Sequence, residues 1–304
     1  MRLPMNPNSH SSQITFPVER LGLQTVAKSV EITPRLIQSA AAAVQETGER
    51  YFDDSRTNGL DVHPGLIFSL EWWTRFTPGG SALPEEIGLR GVHAWTDIRL
   101  RHPLKLGDII TSQGQIISIS TIPPGTLTVT RWTFSDARGN IVAEYDKGGI
   151  VRGIFPDGKD QSINDRVPLP DTSEGTAQSS WSKEIEITAN TAQIYSECAQ
   201  IYNPIHTEKQ VALRAGLPNT ILHGVCTQSI AIGVILDHIC DGDPKQLRRV
   251  CGRYRAMVLP NSTIKIRVIT KELLSDNSTL IKYDVLTESG DKAIDNGIII
   301  IKKT

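Results

Sequence analysis

The sequence has few of the features that mark secreted, membrane-bound or nucleic-acid-binding proteins. It holds only four cysteines and no CxxC pair, so neither a disulfide framework nor a zinc or other metal site is indicated. No apolar run is long enough to span a bilayer, and the polar N-terminus lacks the apolar core of a signal peptide. The formal net charge is −1. Without a basic excess we expect neither nucleic acid nor an anionic membrane as a partner, and the cytoplasm is the expected location.

What is present is an internal repeat. Glu31-Ile32-Thr33 returns 155 residues later as Glu186-Ile187-Thr188, and His63 returns 160 residues later as His223. In each half, a helix, a polar connection and a buried apolar helix precede strands with alternating polarity. The predicted strands are 109–120, 126–134 and 141–152, then 263–270, 279–287 and 297–302. The shared order indicates two copies of one α+β unit.

Composition divides the chain at two places. Residues 1–15 are polar and are predicted to form a flexible tail, and residues 156–180 are rich in Pro, Gly, Asp and Ser, as is typical of a linker. The two predicted units are therefore 16–155 and 181–304. Each would bury its apolar helix economically by wrapping an antiparallel sheet round it.

One stretch of the second unit carries a candidate site. Asn203-Pro204-Ile205-His206 follows a predicted helix at about 189–201, and proline disfavours helical backbone in the residue before it. His206 is therefore predicted to lie on a turn. His223-Gly224 precedes a long apolar helix, whose free N–H groups could hold an oxyanion. The ordinary pKa of histidine lies close enough to neutrality for His206 to act as an acid or a base.

This pattern resembles the active-site segment of the MaoC-like (R)-specific enoyl-CoA hydratases and dehydratases, which reads D-x-N-P-(I/L)-H and then (I/L)-x-H-G. The resemblance implies a double hot-dog with one continuous sheet and an active site between its halves. It also implies a lyase that adds or removes water across the α,β bond of an acyl thioester, with coenzyme A as the carrier and no further cofactor. The family's catalytic aspartate falls five residues before the histidine, where this chain has Ile201.

The resemblance also assigns roles to individual residues. His206 would be the main acid and base, the N–H of Gly224 would bind the enolate oxygen, and Asn203 would orient the turn or the water. With Ile201 unable to transfer a proton, the candidates for support are Glu197, Tyr202 and His223. Glu197 precedes Ile201 by one helical turn, too far to reach without help, and an exposed glutamate is the ordinary alternative. His223 could instead cap the helix.

The first unit is expected to be catalytically empty, because Tyr51 stands at the place of His206. Its adjacent tryptophans, Trp72 and Trp73, are expected either to line a tunnel for the substrate tail or to belong to the core. Arg253 belongs to a basic cluster with Arg248, Arg249 and Arg255. The cluster is either a solvated face or a contact for the phosphates of coenzyme A.

The missing aspartate keeps other functions open. A biosynthetic cyclase or isomerase acting on an acyl or polyketide-type substrate could use the same site. A non-catalytic acyl-binding module and a hot-dog thioesterase are further alternatives. A double hot-dog already supplies the pairing that single units obtain by dimerising, so a homodimer is compatible with the sequence but not required.

Overall fold

A computed structural model describes residues 14–74, 83–88, 90–168 and 181–303. Most of the expected tail 1–15 and the second part of the expected linker, 169–180, lie outside the described residues. The domain boundaries drawn from composition remain predictions.

The chain folds into two halves with the same order of elements. The first half consists of β1 (Lys28–Glu31), α1 (Pro34–Ala42), α2 (Glu49–Phe52), α3 (Leu66–Trp72), α4 (Glu85–Gly88), β2 (Gly91–Leu100), β3 (Ile109–Ile122), β4 (Gly125–Ser135) and β5 (Ile141–Arg152). After the short β6 (Gln161–Ser162), the second half consists of β7 (Ser182–Ile187), α5 (Thr191–Ala199), α6 (Lys209–Arg214), α7 (Gly224–Cys240), β8 (Leu247–Tyr254), β9 (Ser262–Leu273), β10 (Thr279–Leu286) and β11 (Lys292–Ile301).

The strands form one antiparallel sheet with an internal twofold arrangement. Its order is β1-β3-β4-β5-β2-β8-β11-β10-β9-β7, and β6 pairs with β3 beside this path. Each strand of the first half thus takes the place of its counterpart in the second. The halves meet at β2 and β8, whose register runs from Trp95 opposite Arg253 to Arg99 opposite Arg249. The expected α+β double hot-dog with a continuous sheet is confirmed.

The core lies between this sheet and the helices α3 and α7. Both helices are apolar around most of their circumference, which is the pattern of a helix enclosed by its own protein. Ile67 on α3 and Ile232 on α7 are fully buried. The two helices approach closely, since a Cβ added to Gly65 would lie 2.5 Å from Oγ of Ser229. Only glycine allows this contact.

All six predicted strands are found, but β1, β2, β7, β8 and the short β6 were not predicted. The predicted strand at 297–302 begins five residues earlier, at Lys292, and β8 was taken for a basic cluster between a helix and the next strand. Arginines interrupt the apolar pattern of β8, but Arg249 is buried and bonds Asp97 of β2 through Nε and Nη2 at 2.9 and 2.8 Å. The solvated-face interpretation of the cluster is wrong for Arg249.

The described part of the segment between the halves lies against the sheet. Arg249 Nη1 donates to the carbonyl of Pro168 at 2.9 Å, and Arg131 Nη2 donates to that of Asp165 at 3.2 Å. The guanidinium of Arg166 stands 3.8 Å from the ring centroid of Trp95. These contacts hold residues 165–168 across the central strands.

Candidate active site

The turn that carries His206 is shaped by a helix end and a proline. Helix α5 ends at Ala199, because Gln200 adopts left-handed backbone with φ 54°. Pro204 then opens a 3-10 turn, whose first N–H groups are capped by Asn203: its Oδ1 accepts from the N–H of Ile205 at 3.4 Å. His206 lies on this turn, as predicted. The helix ends earlier than expected, and Gln200 rather than Pro204 ends it.

His206 is fixed in one tautomer. Its Nδ1 lies 2.8 Å from the carbonyl oxygen of Ile221. A carbonyl can only accept, so Nδ1 carries the proton and Nε2 keeps its lone pair. Within the described ranges no other group bonds Nε2. Burial lowers the pKa of His206 to about 4, against the opposing effect of the bond to Ile221. The imidazole is therefore a neutral base at neutral pH.

His223 stacks on His206 with ring centroids 3.6 Å apart and an interplanar angle of 27°. Its Nε2 donates to the carbonyl of Ile201 at 3.3 Å and lies 3.4 Å from Oγ of Ser196. Its Nδ1 is buried and bonds nothing that the structure describes. Burial, followed by the proximity of His206, lowers its pKa well below the ordinary value. His223 ties the turn at Ile201 to the start of α7.

Gly224 begins α7 and rests against an aromatic ring. A Cβ at this position would lie 3.0 Å from Cδ1 of Tyr254, so a larger residue would have to move the ring. The first N–H groups of a helix have no partner within the helix and carry part of the positive end of its dipole. The N–H of Gly224 is thus of the kind that can bind an oxyanion.

The expected supporting residues are not assembled around His206. The side chain of Ile201 is buried in the core, with 4% of its surface exposed. Glu197 is exposed on α5, and its carboxylate adds to the effect of burial in raising the pKa of Tyr202. Tyr202 is itself 55% exposed. No hydrogen bond or ion pair in the described part of the chain joins Glu197 or Tyr202 to His206, and their support of the chemistry remains a prediction.

The residues proposed for substrate binding lie in different surroundings. Trp72 and Trp73 are half-buried and pack against the main core, and Nε1 of Trp73 donates to the carbonyl of Gln200 at 3.3 Å. The end of α3 thus contacts the turn that precedes Ile201. Arg253 is exposed on β8, opposite Trp95 and Asp295 of the neighbouring strands. Their roles toward a substrate remain predictions.

Comparison with known protein families matches each half separately. The MaoC like domain matches residues 174–290. The second half is thus similar to MaoC-like domains over most of its length. The first half, over residues 20–145, matches the dehydratase domain region of FAS1-like proteins. The resemblance drawn from the Asn203–His206 and His223-Gly224 motifs is confirmed.

Individual relatives agree with these matches. The chain is 24% identical to a probable enoyl-CoA hydratase 2 of Dictyostelium discoideum over 69% of its own length and 70% of the relative's. It is 41% identical to the peroxisomal enoyl-CoA hydratase 2 of Arabidopsis thaliana, over 21% of its own length and only 20% of that relative's. The crystal structure of a MaoC-like dehydratase from Phytophthora capsici superposes with a TM-score of 0.79 at 19% identity, covering 93% and 96% of the two chains. The expected class of enzyme, a hydro-lyase of the hydratase and dehydratase kind, is confirmed.

The first half carries a counterpart of the MaoC-like site that the sequence reading missed. Gln45, like Gln200, has positive φ, and the N–H of Glu46 bonds the carbonyl of Ala41 as that of Ile201 bonds Ser196, both at 3.1 Å. Glu46 therefore stands at the place of Ile201. Its Oε1 lies 3.6 Å from Nε2 of His63. The offset of 155 residues that placed Tyr51 opposite His206 could have revealed it.

Helix length decides which of the two sites is open. Gly233 of α7 lies directly against Glu46 and His63, and α7 continues to Cys240. Its counterpart 160 residues earlier is Trp73, where α3 has already ended. The long helix thus covers the cluster of the first half, where Tyr51, the counterpart of His206, is 3% exposed, whereas His206 itself is only half-buried.

Other kinds of site find no support in the described residues. No three or more His, Cys, Asp or Glu side chains among them are grouped to hold a metal ion. None of the helices within the described ranges combines the length and the apolar character needed to cross a membrane.

Proposed function

We propose that the MaoC-like half adds water to, or removes it from, the α,β bond of an acyl thioester, with Nε2 of His206 as the base. The observation that carries this proposal is the bond of 2.8 Å from Nδ1 to the carbonyl of Ile221, which leaves Nε2 unprotonated. The names of the relatives, which are enoyl-CoA hydratases, support coenzyme A as the carrier. No cofactor beyond that carrier is required by the chemistry.

The reaction needs three groups. A base takes a proton from water, an acid delivers one to the α-carbon, and donors stabilise the enolate oxygen. His206 can take the proton and return it, and the N–H of Gly224 supplies a donor. Asn203, whose amide shapes the turn, would hold His206 in place. Loss of one acid–base group typically slows a reaction by about 10²–10⁴-fold, so we expect slow hydration.

Ile201 favours a second candidate. With no carboxylate at this position, the site suits a substrate that brings its own nucleophile, such as a hydroxyl that adds to the unsaturated bond within the same molecule. Such a cyclase or isomerase, acting on an acyl or polyketide-type thioester, needs one base and one oxyanion donor. Both are present in His206 and Gly224.

An isotope experiment separates these functions. The purified chain is incubated with a panel of trans-2-enoyl-CoA esters in ¹⁸O-labelled water, beside His206→Ala and the control His102→Ala, which removes an exposed histidine between β2 and β3. Label in the product, lost only in His206→Ala, supports the hydratase. No label from any ester contradicts hydration. Cyclised product from a hydroxyenoyl ester then supports the second candidate, and free coenzyme A supports a thioesterase. Binding without turnover would leave an acyl-binding module.

Assembly and location are separate proposals. We propose the cytoplasm, since all four cysteines are free and free thiols persist in a reducing compartment; a fluorescent fusion found in another compartment would contradict this. A homodimer is also proposed, with acyl thioester as the only small-molecule partner. Light scattering that gives the mass of one chain would contradict the dimer.

A further inference from the structure

A buried amide lies one helical turn beyond the proposed oxyanion donor. Gln228 is fully buried on α7, four residues after Gly224, so both lie on one face of the helix. Its Oε1 accepts from Oγ1 of Thr96 at 2.7 Å and from the hydroxyl of Tyr254 at 2.5 Å. Its Nε2 donates to the hydroxyl of Tyr283 at 3.3 Å. Both ends of the amide are occupied.

These partners come from both halves of the molecule. Thr96 lies on β2, Tyr254 on β8 and Tyr283 on β10, and β2 and β8 form the pair at which the halves meet. Gln228 therefore connects the first turns of α7 to the junction between β2 and β8. These hydrogen bonds resist displacement of the helix start, because a buried polar group left without its partner costs about 1–3 kcal/mol.

The ring of Tyr254 holds the same turn directly. It is the ring that meets the backbone at Gly224, and it is supported by an edge contact with His93, with centroids 4.7 Å apart. Burial raises the pKa of the Tyr254 phenol well above its ordinary value. The hydroxyl consequently stays protonated at neutral pH and donates to Gln228. Tyr254 thus holds this face of the helix start twice, through its ring at Gly224 and through its hydroxyl at Gln228.

We propose that Tyr254, acting with Gln228, is a positioning residue that keeps the N–H of Gly224 in register with the imidazole of His206. The inference rests on the proposed function, because it takes that N–H as the donor to the enolate oxygen. Neither side chain acts on the substrate itself. A displaced donor stabilises the developing charge less and binds the ground state almost as before, so kcat falls while KM stays.

Two hydroxyl deletions test this inference. Tyr254→Phe keeps the ring and removes one hydrogen bond to the amide oxygen. Thr126→Val is the matched control, since it removes one buried hydroxyl on β4 that donates to the carbonyl of Ile154 at 2.8 Å and makes no hydrogen bond to Gln228. Loss of a whole oxyanion donor costs about 10²–10³-fold in kcat, so we expect a displaced one in Tyr254→Phe to cost about 10- to 100-fold at unchanged KM. Thr126→Val should lower Tm comparably, because it also leaves a buried partner without its bond, and should leave kcat within about twofold.

A binding measurement gives a readout that a loss of stability would not move. The affinities of a 3-hydroxyacyl-CoA and of an enolate analogue, a nitronate thioether of coenzyme A, are compared in each variant. We expect the native chain and Thr126→Val to prefer the enolate analogue and Tyr254→Phe to lose most of that preference. If turnover and the binding preference both survive in Tyr254→Phe, the inference is refuted and the proposed function stands. The same conclusion follows if they fall equally in both variants. A native chain that neither turns over an enoyl ester nor distinguishes the two compounds refutes the proposed function as well.

Discussion

Replacing Ile201 by aspartate should convert a slow hydratase into a faster one. The carbonyl of Ile201 already bonds His223, whose ring stacks on that of His206, so a carboxylate at this position would enter the site. Glu46, at the equivalent place of the first half, lies 3.6 Å from His63, the counterpart of His223, so we expect an aspartate at position 201 to lie beside the two stacked histidines. Restoring an acid–base group is worth about 10²–10⁴-fold in rate, which corresponds to about 3–5 kcal/mol of barrier at 1.36 kcal/mol per tenfold.

The substitution also has a cost to stability. Ile201 is 4% exposed, and burying such a side chain contributes roughly 1.5–3 kcal/mol. We therefore expect Tm to fall while the fold is retained. A nearby carboxylate favours the charged form of an imidazole, so the pKa of His206 should rise from about 4, and the acid limb of the rate profile should move to higher pH.

The assay is the initial rate of enoyl-CoA hydration across a pH series, with circular dichroism to verify folding. Ile194→Asp is the matched control, because Ile194 lies on α5, the helix that precedes Ile201, and is 41% exposed, so the new carboxylate would face solvent. A folded Ile201→Asp variant whose rate and acid limb equal those of the native chain would refute the reasoning about the missing carboxylate.

Three further predictions follow from the charges and their burial. Burial, with Asp237 adding to it, raises the pKa of Glu46 from 4.5 to about 7. Between these two pH values the native state binds more protons than the unfolded state, so the free energy of unfolding is highest below about pH 4.5 and falls by at most about 3 kcal/mol as pH rises through 7. Glu46→Gln should remove this difference between urea unfolding at pH 5 and at pH 8. Asp97→Asn should cost about 3–5 kcal/mol of unfolding free energy, because it leaves the buried guanidinium of Arg249 without its charged partner. Because His206 must be unprotonated to act as a base, the native rate should be constant at neutral pH and fall only as pH drops through about 4.

Each of these has a control within the chain. The control for Glu46→Gln is Glu197→Gln, which changes an exposed residue. The control for Asp97→Asn is Glu184→Gln, because the exposed ion pair of Glu184 with Lys265 is worth under about 1 kcal/mol. An unchanged pH slope in Glu46→Gln, or equal losses in Asp97→Asn and Glu184→Gln, would contradict the respective argument. A rate that already halves near pH 6.5, with the fold intact, would show that His206 is not desolvated.

The sequence by itself determined the features that depend on near neighbours along the chain and on its internal repeat. Alternating polarity located most of the strands, because a strand with one buried face must alternate. Asn203-Pro204 placed His206 on its turn, because a capping amide and a proline act within two or three residues. The offset of 155 residues indicated two copies of one α+β unit, and it could have placed Glu46 opposite Ile201; the double hot-dog itself was implied by the family resemblance.

Only the tertiary structure decided the rest, because it depends on residues far apart in the chain. Arg249 reads as a solvated charge until Asp97, on a strand of the other half, is seen to bind it. The tautomer of His206 depends on a carbonyl that the fold brings beside its ring. The closing of the first site and the opening of the second follow from where α7 and α3 end against the opposite half. No local pattern records such contacts, since each forms only when segments that are distant in sequence pack together.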